Sequence, residues 1–123
     1  MSTIVLFWYL VCNGSACHTE PFAVTPEALA IISCESGDGH NYGTFTRWAR
    51  SDTNDGGLFQ FNDKTYQWLT GRTNAELDSP ANQYAAYKRL WAGGKGWQHW
   101  KSSQACWAQW LEVNSEGRAV WIK

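Results

Sequence analysis

From Thr3 to Cys12 the chain is almost wholly apolar, β-branched and aromatic (TIVLFWYLVC), and Asn13-Gly14 follows. Such a run before a turn dipeptide predicts a β-hairpin over residues 3–22, with Cys12 and Cys17 flanking the turn and placed to cross-link it. The run is far too short to cross a bilayer as a helix. No Lys or Arg precedes it, so a retained strand is expected rather than a cleaved leader over residues 1–16, with Gly14-Ser15-Ala16 only a fair cleavage site. The pattern then becomes helical. Thr25-Pro26-Glu27 supplies an N-cap, a first-turn proline and a first-turn acid; Leu29, Ile31 and Ile32 give an apolar side, and Gly37 a stop. Residues 37–57 are rich in Gly, Asn, Asp, Ser and Thr and predict a long loop, with short strands near Phe45–Trp48 and Leu58–Phe61.

A second helix is expected over Asp63–Thr70, capped by Asn62 or Asp63 and ended by Gly71. A third opens at Asp78-Ser79-Pro80 and runs to Ala92 before Gly93-Gly94. A fourth begins near Ser102 or Ser103 and carries Cys106, Trp107, Trp110 and Leu111 at helical spacing. The tail Arg118–Ile122 predicts a last strand, paired with the N-terminal hairpin in a three-stranded sheet. Ile4, Leu6, Trp8 and Leu10 would then share one face and Val5, Phe7 and Tyr9 the other, either set facing the core, the outward set being a potential partner site. The expected class is α+β, mainly helical. A β-hairpin appendage (1–24) precedes a main domain (25–107), and a helix end and C-terminal strand (108–123) pack on the appendage.

Composition narrows the function classes. With 123 residues and a net charge of −1, the chain gives no sign of a nucleic-acid or anionic-membrane surface. Charged residues are sparse at 17% and aromatics heavy at 15%, with nine Trp, so some aromatics are expected at the surface beside amides and hydroxyls. That mixture suits carbohydrate, whose rings stack on aromatic faces, although indoles also fill cores. Four Cys in so short a chain favour an oxidising compartment. Cys12, Cys17, His18, Cys34 and His40 lie close together but lack a C-x2-C pair, so neither a metal nor any other cofactor is expected.

Two motifs carry the chemistry. Cys34-Glu35-Ser36-Gly37 puts a carboxylate at the end of an apolar helix, three and four residues after Ile32 and Ile31. A carboxyl held against an apolar wall stays protonated near neutral pH and can donate its proton. About twenty residues on, Gly56-Gly57-Leu58-Phe59-Gln60-Phe61 reads as a turn and a short buried strand. Strand alternation would put Gln60 on the face opposite both Phe side chains, towards a cleft where its amide can bond an acetamido group. Glycosidases usually need a second carboxyl group. Asp38, Asp52 and Asp55 are the candidates, with Asp55 favoured by its place before Gly56-Gly57; each is equally a turn residue. Tyr42, Trp48 and Tyr66 are sugar platforms or core, and His40 and His99 read as exposed loop residues.

CESG after an apolar helix, GGLFQF after a polar loop, and GWQHW followed by Cys106 resemble the transglycosylase-like domain of resuscitation-promoting factors, part of the lysozyme-like superfamily. Ser79–Ala85 resembles that family's helix before its aromatic motif, and the likeness covers roughly residues 25–107. The resemblance implies that Glu35 is the catalytic acid, that Cys34 and Cys106 form a disulfide, and that Gln60 belongs to the substrate cleft. It places Gln83, Trp97 and Trp100 on the family's helix and aromatic motif. The loop after Glu35 is longer than the family's, and both chain ends lack a counterpart in it.

The expected function is cleavage of the β-1,4 bond between N-acetylmuramic acid and N-acetylglucosamine in peptidoglycan, by a lytic transglycosylase or a lysozyme-type muramidase. Glu35 is the catalytic residue, and Gln60, Asp55, Tyr42, Trp48, Gln83 and Trp97 are the substrate contacts. One carboxyl suffices if the substrate's N-acetyl group stabilises the developing charge; water then gives hydrolysis, and the sugar's own 6-hydroxyl a 1,6-anhydro product. The expected partner is the peptidoglycan glycan strand, with a further protein partner at the hairpin, and the setting a secreted or cell-wall one or a virion. The rivals are a non-catalytic glycan-binding module and a structural virion-associated protein.

Overall fold

Helix α1 (Pro26–Glu35) forms the centre of the core in a computed structural model that describes residues 4–122. Residues 1–3 and 123, which end the two terminal segments, lie outside the described residues, as does the side chain of Phe7. The Thr25 side chain accepts the Ala28 N–H at 3.2 Å, and Pro26 opens the first turn. Ala28, Leu29, Ala30, Ile31, Ile32 and Ser33 are all buried, as befits a helix apolar on most sides. A short helix α4 (Gln104–Trp107), the 3-10 segment Trp97–Ser103 and the C-terminal strand pack against it.

The N-terminal hairpin is formed as expected. Strand β1 (Val5–Asn13) pairs with β2 (Ala16–Val24) from Val5 opposite Val24 to Asn13 opposite Ala16, around a turn with Gly14 in the left-handed region (φ +66°). Cys12 and Cys17 are directly opposed and form a disulfide. Phe22 and Val24 are buried and Val5 and Tyr9 pack on the core, so Ile4, Leu6, Trp8 and Leu10 form the outward face.

The C-terminal strand does not join this hairpin, and the expected three-stranded sheet is not made. Among the described residues β5 (Leu111–Val113) pairs with β6 (Ala119–Trp121) in a hairpin of their own, and β6 packs on α1. Leu111 therefore lies in a strand and not on the fourth helix. That helix starts close to the expected place but stops at Trp107, where residues 108–110 turn into β5. Most of residues 97–103 wind as 3-10 turns, fastened by the indole N–H of Trp100 donating to the Phe59 carbonyl and that of Trp107 to the Trp100 carbonyl.

Between these ends the long loop is tied down by α1. A two-residue ribbon pairs β3 (Asp55–Gly56) with β4 (Phe61–Asn62), and Leu58–Gln60 form the turn between them, not the expected strand. Residues 45–48 are likewise not a strand. Helix α2 (Asp63–Thr70) is capped by Asn62 and ends at Gly71, and α3 (Pro80–Trp91) is capped by Ser79. The outcome is an α+β chain of four helices and three small two-stranded sheets among the described residues.

Candidate active site

Glu35 is the last residue of α1, at the wall of an open, polar-lined cleft of about 190 Å³. Asp55, Gln60, Asn62, Thr65, His99 and Ser102 line the same cleft, with Phe61, Leu90 and Trp100 as its apolar part. One Glu35 oxygen, Oε2, is buried and has no hydrogen-bond partner. Desolvation raises the carboxyl pKa above its ordinary value; the hydrogen bond with the Ser103 side chain opposes that rise, and the charge of Asp55 adds to it. The group is thereby held towards its neutral, proton-bearing form beside solvent-accessible space.

Three anchors set the other wall. The Ser36 hydroxyl donates to the Leu58 carbonyl at 2.9 Å. The Leu58 N–H donates to the Gln83 side-chain oxygen at 2.8 Å. The Trp100 indole holds the Phe59 carbonyl at 3.0 Å. Gly57, at φ +85°, takes the turn so close to Gln83 that a Cβ there would collide with its amide. The chain then enters the left-handed region at Gln60 (φ 51°), a conformation disfavoured for a residue with a Cβ. The Gln60 amide nitrogen donates to the carbonyls of Ala49 and Gly57, at 3.2 and 3.0 Å. Gln60 does reach the cleft, but through this turn and not by strand alternation. Its side-chain carbonyl is the group left to accept a hydrogen bond from a ligand.

Of the three candidate second carboxylates, Asp55 is the one in the cleft. Its oxygens accept from Thr53 Oγ1 at 2.6 Å, Ser51 Oγ at 3.2 Å and Asn62 Nδ2 at 3.3 Å. Asp38 instead organises the loop after α1, accepting the N–H groups of His40 and Asn41, and those bonds hold its carboxyl well below the usual range. Asp52 is exposed in a turn away from the cleft. The ribbon under Asp55 is braced by Arg50, which pairs with Asp63 at 2.6 Å and with the buried Glu76 at 3.2 Å.

Four expected substrate contacts lie elsewhere. Gln83 is fully buried and, besides holding Leu58, donates to the Asp78 carbonyl at 3.0 Å; it positions the turn and cannot touch a ligand. Tyr42 packs against Trp110 and Trp121, and its hydroxyl donates to the Pro26 carbonyl. Trp97 donates its indole N–H to Gly117 and meets Trp107 edge-on. Trp48 is exposed, outside the cleft lining, with the Arg47 guanidinium over its ring at 4.8 Å. Tyr66 is core, its hydroxyl bonded to Asp78 at 2.5 Å.

The sequence left His99 as a loop residue and gave no signal for Thr65, which α2 brings to the cleft, or for Ser102 and Ser103 as site residues, whose approach to Glu35 depends on the 3-10 path of residues 97–103. The Cys34–Cys106 disulfide secures that approach, joining the residue before Glu35 to α4. No cluster of metal-ligating side chains occurs among the described residues. Compared with known protein families, curated proteins and solved structures, the chain matches none.

Proposed function

We propose that this chain cleaves the β-1,4 bond between N-acetylmuramic acid and N-acetylglucosamine in peptidoglycan, on a lysozyme-like fold, with Glu35 as general acid and then general base. The observation that carries this reading is the buried, unpartnered Oε2 of Glu35 on a polar cleft. A neutral carboxyl there can protonate the bridging oxygen as the bond to the anomeric carbon breaks. The Gln60 carbonyl suits the N–H of an acetamido group. Asp55 is already held by Ser51, Thr53 and Asn62, which favours a route with one catalytic carboxyl and help from the substrate's N-acetyl group. Glu35, left as carboxylate, then removes a proton from the incoming hydroxyl. Water as that hydroxyl gives hydrolysis, and the sugar's own 6-hydroxyl gives a 1,6-anhydro end.

Two disulfides support an oxidising working environment, which this reading takes to be a cell wall or a virion. No described helix is long and apolar enough to cross a membrane. The test is digestion of purified peptidoglycan by the wild type and by Glu35→Gln, with fragment masses. A turnover loss of about 10²- to 10⁴-fold in the variant is expected, with folding and glycan binding kept. Fragments one water lighter than hydrolysis products identify the anhydro end. A wild type that binds glycan without cutting it would make the chain a binding module instead.

A further inference from the structure

A second cavity, of about 400 Å³, shares no lining residue with the Glu35 cleft. Its wall is an aromatic series along α3: Tyr84 and Tyr87 stack at 6.0 Å and 14°, and Tyr87 and Trp91 at 5.3 Å and 23°. Val120 of β6 lines it from the C-terminal hairpin. Two opposite charges also line it, Glu27 from the first turn of α1 and Lys88 from the last turn of α3. Neither makes a salt bridge among the described residues; the Lys88 ammonium instead sits over the Tyr84 ring at 4.8 Å. Tyr87 itself is only 1% exposed.

We propose that this cavity binds a short peptide that carries a free ammonium and a free carboxylate on a small apolar body. Glu27 takes the ammonium, Lys88 the carboxylate, and the aromatic wall covers the apolar body. The two unpaired charges of opposite sign are what select this ligand. A neutral sugar would leave both unused, and a purely apolar ligand would desolvate them without return. The site is independent of the chemistry at Glu35, so its test reads binding and not lysis.

Dialanine is titrated into the full-length ¹⁵N-labelled chain, following the Trp91 indole and the amides of Gly93 and Val120. Saturable shifts at these signals are expected, with the Gln60 and His99 amides still. N-acetylation or C-amidation of the peptide should each weaken binding about tenfold or more. Glu27→Gln should make free and acetylated peptides bind alike, and Lys88→Met should do the same for free and amidated ones. The proposal is overturned by an absence of saturable shifts, by blocked peptides binding as well as free ones, or by N-acetylglucosamine taking the site in preference.

Discussion

Gln83 on α3 and Leu58 in the Gly57–Gln60 turn are joined by one buried hydrogen bond, the Leu58 N–H donating to the Gln83 side-chain oxygen at 2.8 Å. The same amide donates to the Asp78 carbonyl at 3.0 Å, so one fully buried side chain ties the cleft wall to the start of α3. Gln83→Leu fills the space but strands the Leu58 N–H and the Asp78 carbonyl. It should destabilise the fold by about 2 kcal/mol or more, read as a lower urea midpoint with unchanged slope. Gln83→Glu would bury an uncompensated carboxylate against the Asp78 carbonyl at neutral pH and should destabilise at least as much. Wild-type stability in Gln83→Leu would mean the side chain does not hold the turn.

The pH dependence of Glu35 has a definite sign. Its carboxyl is raised from an ordinary value of 4.5, chiefly by desolvation. The folded state therefore prefers the neutral form. Stability from this group is complete below the unfolded value and is lost as pH rises through the folded value. Glu35→Gln has no charge to bury, so it should be more stable than wild type at neutral pH, with the gap closing below about pH 4. Denaturant melts of both proteins across pH 3–8 would check this. Lytic activity should fall in the same upper range as the general acid deprotonates, and a rate that climbs steadily there would exclude Glu35 as the proton donor.

The two disulfides should differ in both energy and effect. Cys34–Cys106 spans a sequence separation of 72 and Cys12–Cys17 one of 5. By the chain-entropy relation these correspond to about 4 and about 2 kcal/mol. Replacing Cys34 and Cys106 by Ser should also release the Trp97–Ser103 segment from Glu35 and lower lysis at temperatures where the chain is still folded. Replacing Cys12 and Cys17 should leave lysis unchanged. Intact mass without reductant should show no free thiol, since all four Cys are paired.

Arg47 fastens the N-terminal hairpin to the long loop. Its guanidinium donates to the Leu10 carbonyl and lies over the rings of Tyr9 and Trp48, at 4.9 and 4.8 Å. Arg47→Ala should raise amide exchange in Val5–Val11 by several-fold while α1 stays protected. Arg47→Lys should rescue this only in part, because an ammonium lacks the flat face that stacks between two rings. Deleting residues 118–123 tests the other end. It should expose Leu111 and loosen Tyr42, which packs on Trp121, with hairpin exchange unaltered.

Local rules fixed a good part of this molecule in its sequence. The Thr25-Pro26-Glu27 start of α1, the Asn62 and Ser79 caps and the Gly71 stop rest on contacts within a few residues, where side-chain type alone decides the conformation, and the N-terminal hairpin is set by its turn dipeptide and the apolar run before it. Glu35 was legible for the same reason, as the one acid ending an apolar helix. Tertiary structure decided the rest. Whether Val120 and Trp121 join the first hairpin or residues 111–113 depends on which partner the folded chain brings near, and either pairing satisfies the same pattern. Gln60 follows strand alternation until Gln83 and Trp100 seize the turn before it and drive it to a left-handed backbone. The resemblance implied Gln83 and Trp97 as substrate contacts; full burial makes Gln83 an internal clamp, and partly buried Trp97 packs edge-on against Trp107. The cleft itself gathers side chains from α1, the 55–65 ribbon, α3 and the 97–103 segment. No local spacing encodes that convergence, because it is set by long-range packing of Trp100 and Trp107 and by one disulfide across the core.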